Sequence, residues 1–330
     1  MTPLLLFFIL ALLLMVVANL GQRLAWARWL TFASLAIAAI VVLSAGLLSL
    51  FANPDLFADF DQPGMDLTLP GFGWWLVVSG SLSLLVVFGA AIVSRRNQDP
   101  VLGQLYWSRP VQVTAIVLTM MYAGLNLAVS AAITDPAILT EMAGEVGIPE
   151  LAGQYAILVT LSFLGVGLGI RRNWPETLKR LGLRRIGLIE LIIAGAAAFG
   201  MVIVSMFLGL IVLLLFPDSL AEVESFNQGM LLNFGSPLGA IALGLFSGIG
   251  EEILYRGALQ PAFGLIVTSV VFALHHSQYV NPGLLVIFVI GLLLGLIRKY
   301  LGTTTAVLVH ALYNTVLLLL SLAAAQFISP

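Results

Sequence analysis

LIELIIAGAAAFGMVIVSMFLGLIVLLLF, residues 188–216, is almost wholly apolar, and its one charge is Glu190 near its start. It exceeds the roughly 20 residues that a helix needs to cross ~30 Å of hydrocarbon. A lone segment in lipid must satisfy its own backbone hydrogen bonds, so the run is read as a helix. Outward from it, comparable runs occupy 3–20, 30–51, 74–94, 111–133, 151–170, 236–256, 262–279, 283–297 and 303–326. The chain is 60% hydrophobic and 9% charged, with a mean hydropathy of +1.08, which excludes a water-soluble globule. The expected fold class is all-α, a polytopic transmembrane helix bundle of about ten spans.

Charge placement gives the same count. Arg23 and Arg28 share one connecting loop, and Arg95, Arg96 and Arg109 a second. A third holds Arg171, Arg172, Lys179, Arg180, Arg184 and Arg185, and a fourth Arg298 and Lys299. With ten spans these four loops fall on one side. The opposite loops carry Asp55, Asp59, Asp61, Asp66, Asp135, Glu141, Glu145, Glu150, Asp218, Glu222 and Glu224, and no lysine or arginine. The positive-inside rule then places the basic loops in the cytoplasm and both termini outside a multi-pass cell-membrane protein. The first span lacks a basic flank and a small-residue cleavage site and is expected to be a retained helix, not a signal peptide. No lipidation signal is present. The absence of cysteine excludes disulfides, thiolate metal sites and a cysteine nucleophile.

Two regions are expected. Residues 1–187 hold five spans with almost no intramembrane charge and no assigned function. Residues 188–330 hold five more and carry every polar candidate. Between them lies RRNWPETLKRLGLRR, 171–185, in which Asn173 and Pro175 suit a helix start. It reads either as a short interfacial helix, with Trp174, Leu178 and Leu181 on one face, or as a basic topogenic loop. The acidic loops, 52–73 and 134–150, lack calcium-loop spacing and read as solvated. The 32 glycines suit close helix packing, and no internal repeat supports a repeat-built transporter.

A charge in hydrocarbon costs several kcal/mol, so charges within spans mark function. In GLFSGIGEEILYRGALQP, 244–261, Glu252 and Arg256 are i and i+4 and meet on one face. Glu251 lies about 100° away around the helix, free to face a cavity as a general base. In VTSVVFALHHSQYVNP, 267–282, Phe272 and His276 share a face, and spacing does not choose between His275 and His276. In TTTAVLVHALYNTVLLLL, 303–320, His310 and Asn314 project from one face and offer donors to a developing oxyanion. Each pair taken alone has a competing reading as a helix-packing polar seam. Together they supply a base, a place for water and oxyanion donors. Ser247 lacks a rhomboid-type setting, no Gly-x-Asp motif occurs, and His-Glu-x-x-His is absent. A metal held by the histidines with Glu251 is a minority mechanism. No metal or other cofactor is expected.

The three stretches resemble the CPBP family, the CAAX-protease and bacteriocin-processing (Abi) group of intramembrane endopeptidases. The resemblance rests on Glu251-Glu252-Ile-Leu-Tyr-Arg256, Phe272-Ala-Leu-His275-His276 and His310-Ala-Leu-Tyr-Asn314, in order, within a four-helix core at about 238–322. It implies a metal-independent glutamate mechanism. Glu251 would activate water with help from His276, while His310 and Asn314 stabilise the oxyanion and Glu252 and Arg256 support them. It also selects His276 over His275. The family's clearest activity is removal of a C-terminal tripeptide from prenylated proteins; bacterial members are more often tied to peptide processing or self-immunity.

The expected function is therefore an intramembrane endopeptidase. Its partners are the lipid bilayer and a peptide or protein substrate in or at the membrane, lipidated or not, with no nucleic acid. The alternatives are a proton-coupled transporter or channel and a non-catalytic membrane scaffold or immunity protein. The ten-span topology raises one tension: Glu251 and His310 lie nearer the cytoplasmic ends of their spans, and His276 nearer the external end.

Overall fold

The computed structural model describes residues 3–53, 64–95, 109–217, 219–276 and 282–328, and they form an all-α protein. Asp55, Asp59, Asp61, Arg96 and Asp218 lie outside the described residues, as does the side chain of Glu222. Eight helices among the described residues are long and apolar enough to cross a membrane, so the chain is a multi-pass membrane protein. The helices form two compact units, residues 1–134 with 163–174, and residues 135–162 with 175–330.

The first unit contains α1 (Pro3–Leu20), α2 (Ala25–Phe51), α3 (Pro70–Arg95) and α4 (Pro110–Ala132). Phe32 and Leu35 of α2 meet Val87 and Ala90 of α3 and Val113, Val117 and Met121 of α4. Glycine permits the close approach of α2 and α3. A Cβ on Gly46 would sit 2.7 Å from the Gly73 carbonyl, and one on Gly80 2.7 Å from the Leu43 nitrogen. The buried amide of Asn19 donates to the Leu164 carbonyl at 2.8 Å and accepts from Arg171 Nε at 2.7 Å.

The second unit contains α5 (Ala137–Gly144), most of α6 (Ile148–Val166) and of α7 (Trp174–Leu181), then α8 (Leu188–Leu215) and α9 (Ser219–Phe234). It continues through α10 (Pro237–Glu252), a π-helical turn (Ile253–Leu259), α11 (Gln260–Phe263), α12 (Leu265–Leu274), α13 (Gly283–Leu301) and α14 (Thr303–Ile328). On α8 only a narrow stripe is buried: Ala194, Ala198, Met201, Val202 and Ser205. Large apolar side chains such as Ile192, Phe199, Phe207 and Leu214 cover the remainder, as expected where lipid is the solvent. The stripe packs on Tyr255, Phe272, Ile290, Leu294, Val309 and Tyr313, the core that underlies the polar cluster.

Two sequence expectations change. The run 262–279 is not a full span, because α12 has ten residues and is about 15 Å long, half the hydrocarbon thickness. Pro261 and Gly264, the latter at φ +83°, break the chain before it, and the turn at His275 and His276 ends it. The acidic stretches around 134–150 and 217–235 are partly helical. Thr140 on α5 donates to the Ser225 carbonyl of α9 at 2.8 Å, and Asn233 donates to the Gly144 carbonyl.

Helices α10 and α14 set the width of the site. A Cβ on Gly248 would lie 2.8 Å from the Ala311 nitrogen and 2.9 Å from the Val307 carbonyl, both rigid backbone. Gly248→Val is expected to force the two helices apart at a cost of about 1–3 kcal/mol. A lowered unfolding midpoint in detergent would show this; an unchanged midpoint would mean that the helices are not held in this contact.

Candidate active site

Helix α10 begins at an N-cap, Ser236, whose hydroxyl accepts from the Gly239 N–H at 3.0 Å, with Pro237 in the first turn. It ends at Glu251 and Glu252, after which the backbone widens into the π turn, a feature that often marks functional sites. The turn has a chemical cause in Pro261. Lacking an N–H, it cannot donate to the carbonyls of Arg256 or Gly257, its π-type and α-type partners. Both carbonyls are instead taken by arginines. Arg298 Nε of α13 donates to the Arg256 carbonyl at 3.0 Å, and Arg180 Nη1 of α7 to that of Gly257 at 2.9 Å. Leu181, fully buried, packs against Gly257, so α7 docks on the turn. Arg298→Ala is expected to cost about 1–3 kcal/mol by stranding the Arg256 carbonyl. Adding Pro261→Ala, which returns an N–H, should recover part of the loss in a denaturant midpoint. Equal losses in the single and double variants would refute the capping role.

The centre of the cluster is a buried ion pair. Glu252 is 0% exposed and Arg256 1%. Their i, i+4 spacing brings Arg256 Nε to 3.3 Å from Glu252 Oε2. Arg256 also donates to the Gly291 carbonyl through Nη2 at 3.2 Å and lies 4.2 Å from the Phe272 ring centroid, a cation–π distance. The other oxygen, Glu252 Oε1, accepts from His310 Nδ1 at 2.9 Å. A carboxylate only accepts, so Nδ1 carries a proton in this contact, and Nε2 faces away from Glu252.

Glu251, on a different face of α10, is 8% exposed. Its Oε1 accepts from the Tyr155 hydroxyl of α6 at 2.8 Å. Its Oε2 lies 3.6 Å from His276 Nε2 and accepts no hydrogen bond among the described residues. His276 is oriented by its own helix: Nδ1 donates to the Phe272 carbonyl at 2.8 Å, which turns Nε2 towards Glu251. The ten-residue α12 ends just before His276, which therefore meets Glu251 despite the separation expected from a full-length span. His275 packs edge-on against Tyr255, with ring centroids 5.4 Å apart. Asn314 is one turn removed from the two carboxylates and donates to Ser247 Oγ at 2.9 Å. Ser247 is held in turn by the Leu243 carbonyl at 2.7 Å, and it lies four residues before Glu251 on the same face of α10.

The structure thus gathers Glu251 with His276, and Glu252 with Arg256 and His310, and seats Asn314 on Ser247. The sequence reading missed Ser247, Tyr155, Arg180 and Arg298 as members of the site. Ser247 was legible from its i−4 relation to Glu251. Among the described residues no group of three or more histidine, aspartate or glutamate side chains is arranged to hold a metal ion.

Residues 233–316 match the type II CAAX prenyl endopeptidase Rce1-like family. The C-terminal region carries an Rce1-like domain. All six polar residues of the signature lie inside the matched segment. The chain is also 36% identical over 89 residues to an uncharacterized protein, YpbD, of Bacillus subtilis. That similarity covers 26% of this chain and 47% of the relative, so the chain spans about half the length of the curated relative it matches. No solved structure gives a significant match. The Rce1-like domain comprises the end of α9 through most of α14, while Tyr155 and Arg180 reach its residues from outside.

Proposed function

We propose that the protein is an intramembrane endopeptidase that hydrolyses peptide bonds of membrane-associated substrates, with Glu251 as the base that activates water. The observation that carries this is the approach of Glu251 Oε2 to His276 Nε2, 3.6 Å apart on two helices beside a buried Glu252–His310 pair. One water can bridge that gap, donating to both acceptors. Glu251 takes a proton as the water oxygen adds to the scissile carbonyl carbon. Asn314, steadied by Ser247, donates its second amide N–H to the oxyanion, and His310, held through Nδ1 by Glu252, donates to it from Nε2 when both ring nitrogens are protonated. The proton then passes through Glu251 and His276 to the leaving amine nitrogen as the C–N bond breaks. Arg256 neutralises Glu252 and keeps the second carboxylate from competing for the proton.

We assign this chemistry to residues 188–330, leave the function of residues 1–187 unassigned, and place the basic loops in the cytoplasm with both termini outside. The short α12 does not disturb that orientation. Together α12 and α13 leave Gly264 and return at Arg298 and Lys299, so the chain regains the side it left. The substrate is a peptide or protein segment in or at the bilayer, with C-terminally prenylated chains among the candidates. The test is cleavage of a quenched fluorogenic peptide library, with and without a prenyl group, by purified protein in detergent. Glu251→Gln and chelator-treated samples serve as comparisons. Cleavage that survives chelation and fails with the substitution supports the proposal; loss on chelation with recovery by zinc would replace it with a metalloprotease mechanism.

A further inference from the structure

Tyr155 belongs to α6, far from the family-matched segment in sequence, yet it touches the proposed base. Its hydroxyl donates to Glu251 Oε1 at 2.8 Å across 96 residues of chain. The approach is built into α10. A Cβ on the buried Gly250 would run into the Tyr155 ring, so a glycine immediately before the base lets the aromatic ring lie against the helix backbone. The two oxygens of one carboxylate are thereby given different neighbours, Oε1 the phenol and Oε2 the His276 ring.

We infer that Tyr155 is a positioning residue for the reaction, fixing the Glu251 carboxylate plane so that Oε2 faces the water and substrate. The terminal torsion of a glutamate is broad and holds no single orientation by itself. A charge-assisted hydrogen bond from a half-buried phenol supplies the missing restraint. The inference rests on the reading of Glu251 as the base. It has a consequence for the molecule: residues 233–316 do not hold a complete site, because the base is aimed only when α6 is docked.

The experiment uses the full chain and the fluorogenic peptide assay. Tyr155→Phe keeps the ring against Gly250 and removes only the donor. It is expected to lower kcat about tenfold or more while KM stays within about twofold, with the unfolding midpoint lowered by no more than the loss of one hydrogen bond. Gly250→Ala, which displaces the ring but keeps the hydroxyl in the chain, should lower kcat in the same way. A readout independent of turnover is the ¹⁹F resonance of 3-fluorotyrosine at position 155, which should move in Glu251→Gln and stay in place in Glu190→Gln. If Glu251→Gln is inactive while Tyr155→Phe turns over like wild type, the inference fails and the base assignment stands. If Glu251→Gln is itself active, the base assignment fails and takes the inference with it. A resonance indifferent to Glu251→Gln would show that the contact does not form, and would overturn the inference.

Discussion

Glu251→Gln is expected to lower kcat by about 10²–10⁴, the usual contribution of a general base, with little change in stability. The glutamine amide has the shape of the carboxylate. Its oxygen still accepts the Tyr155 hydroxyl, and its NH₂ faces His276 Nε2, where the carboxylate oxygen stood at 3.6 Å. Packing around the half-turn of α10 is therefore kept while the capacity to take a proton from water is lost. Single-turnover rates with the best peptide of the library, measured beside the unfolding midpoint, separate the two effects. A variant that retains wild-type turnover would sink the glutamate mechanism. Wild-type protein that cleaves nothing but carries protons into liposomes, with Glu251→Gln blocking the flux, would favour a proton-coupled transporter. Full biological function in Glu251→Ala would favour a non-catalytic scaffold.

The second large effect concerns folding. Arg256→Ala removes the partner of a carboxylate that is 0% exposed, and leaves Glu252 with only the His310 contact. Breaking a buried pair from one side costs about 3–5 kcal/mol, because an uncompensated charge stays behind. The guanidinium also leaves a gap over the Phe272 ring and strands the Gly291 carbonyl. The double change Glu252→Gln with Arg256→Met removes both charges together, keeps side-chain volume, and preserves an acceptor for His310 Nδ1. It is expected to unfold at a higher denaturant concentration than Arg256→Ala alone. If the double variant is the less stable of the two, the pair acts through something other than mutual neutralisation. Activity should be low in both, since each disturbs the support of His310.

Helix existence was legible because lipid permits so few alternatives: every apolar run that was read as a span contains a helix. Helix length was less so. The run 262–279 is apolar enough to cross, and only the paired breaks at Pro261–Gly264 and at His275 shorten α12. Local pairs were legible too, since Glu252 with Arg256 follows from helical geometry, and the observed 3.3 Å contact agrees with it. Contacts distant in sequence were not. Nothing in the local pattern of α6 marks Tyr155 as a neighbour of Glu251. Nor did spacing foretell that Glu252 would be shared between Arg256 and His310, which a helix wheel of α10 alone cannot contain. The acidic helices α5 and α9 escaped notice because their charges suggested solvated loops, whereas helix and solvated face are compatible.

The arginine caps on the Pro261 break tie two separate instructions to the same side chains. Under the proposed orientation Arg180 and Arg298 are among the charges that tell the insertion machinery which loops to retain in the cytoplasm. They are also the donors that complete the backbone beside the carboxylates. Stripping these charges to invert the chain would therefore unmake the turn as well as the address. A molecule inserted upside down by that route would carry a broken reaction centre, and proteolysis on the wrong side of the membrane would be prevented without a separate safeguard.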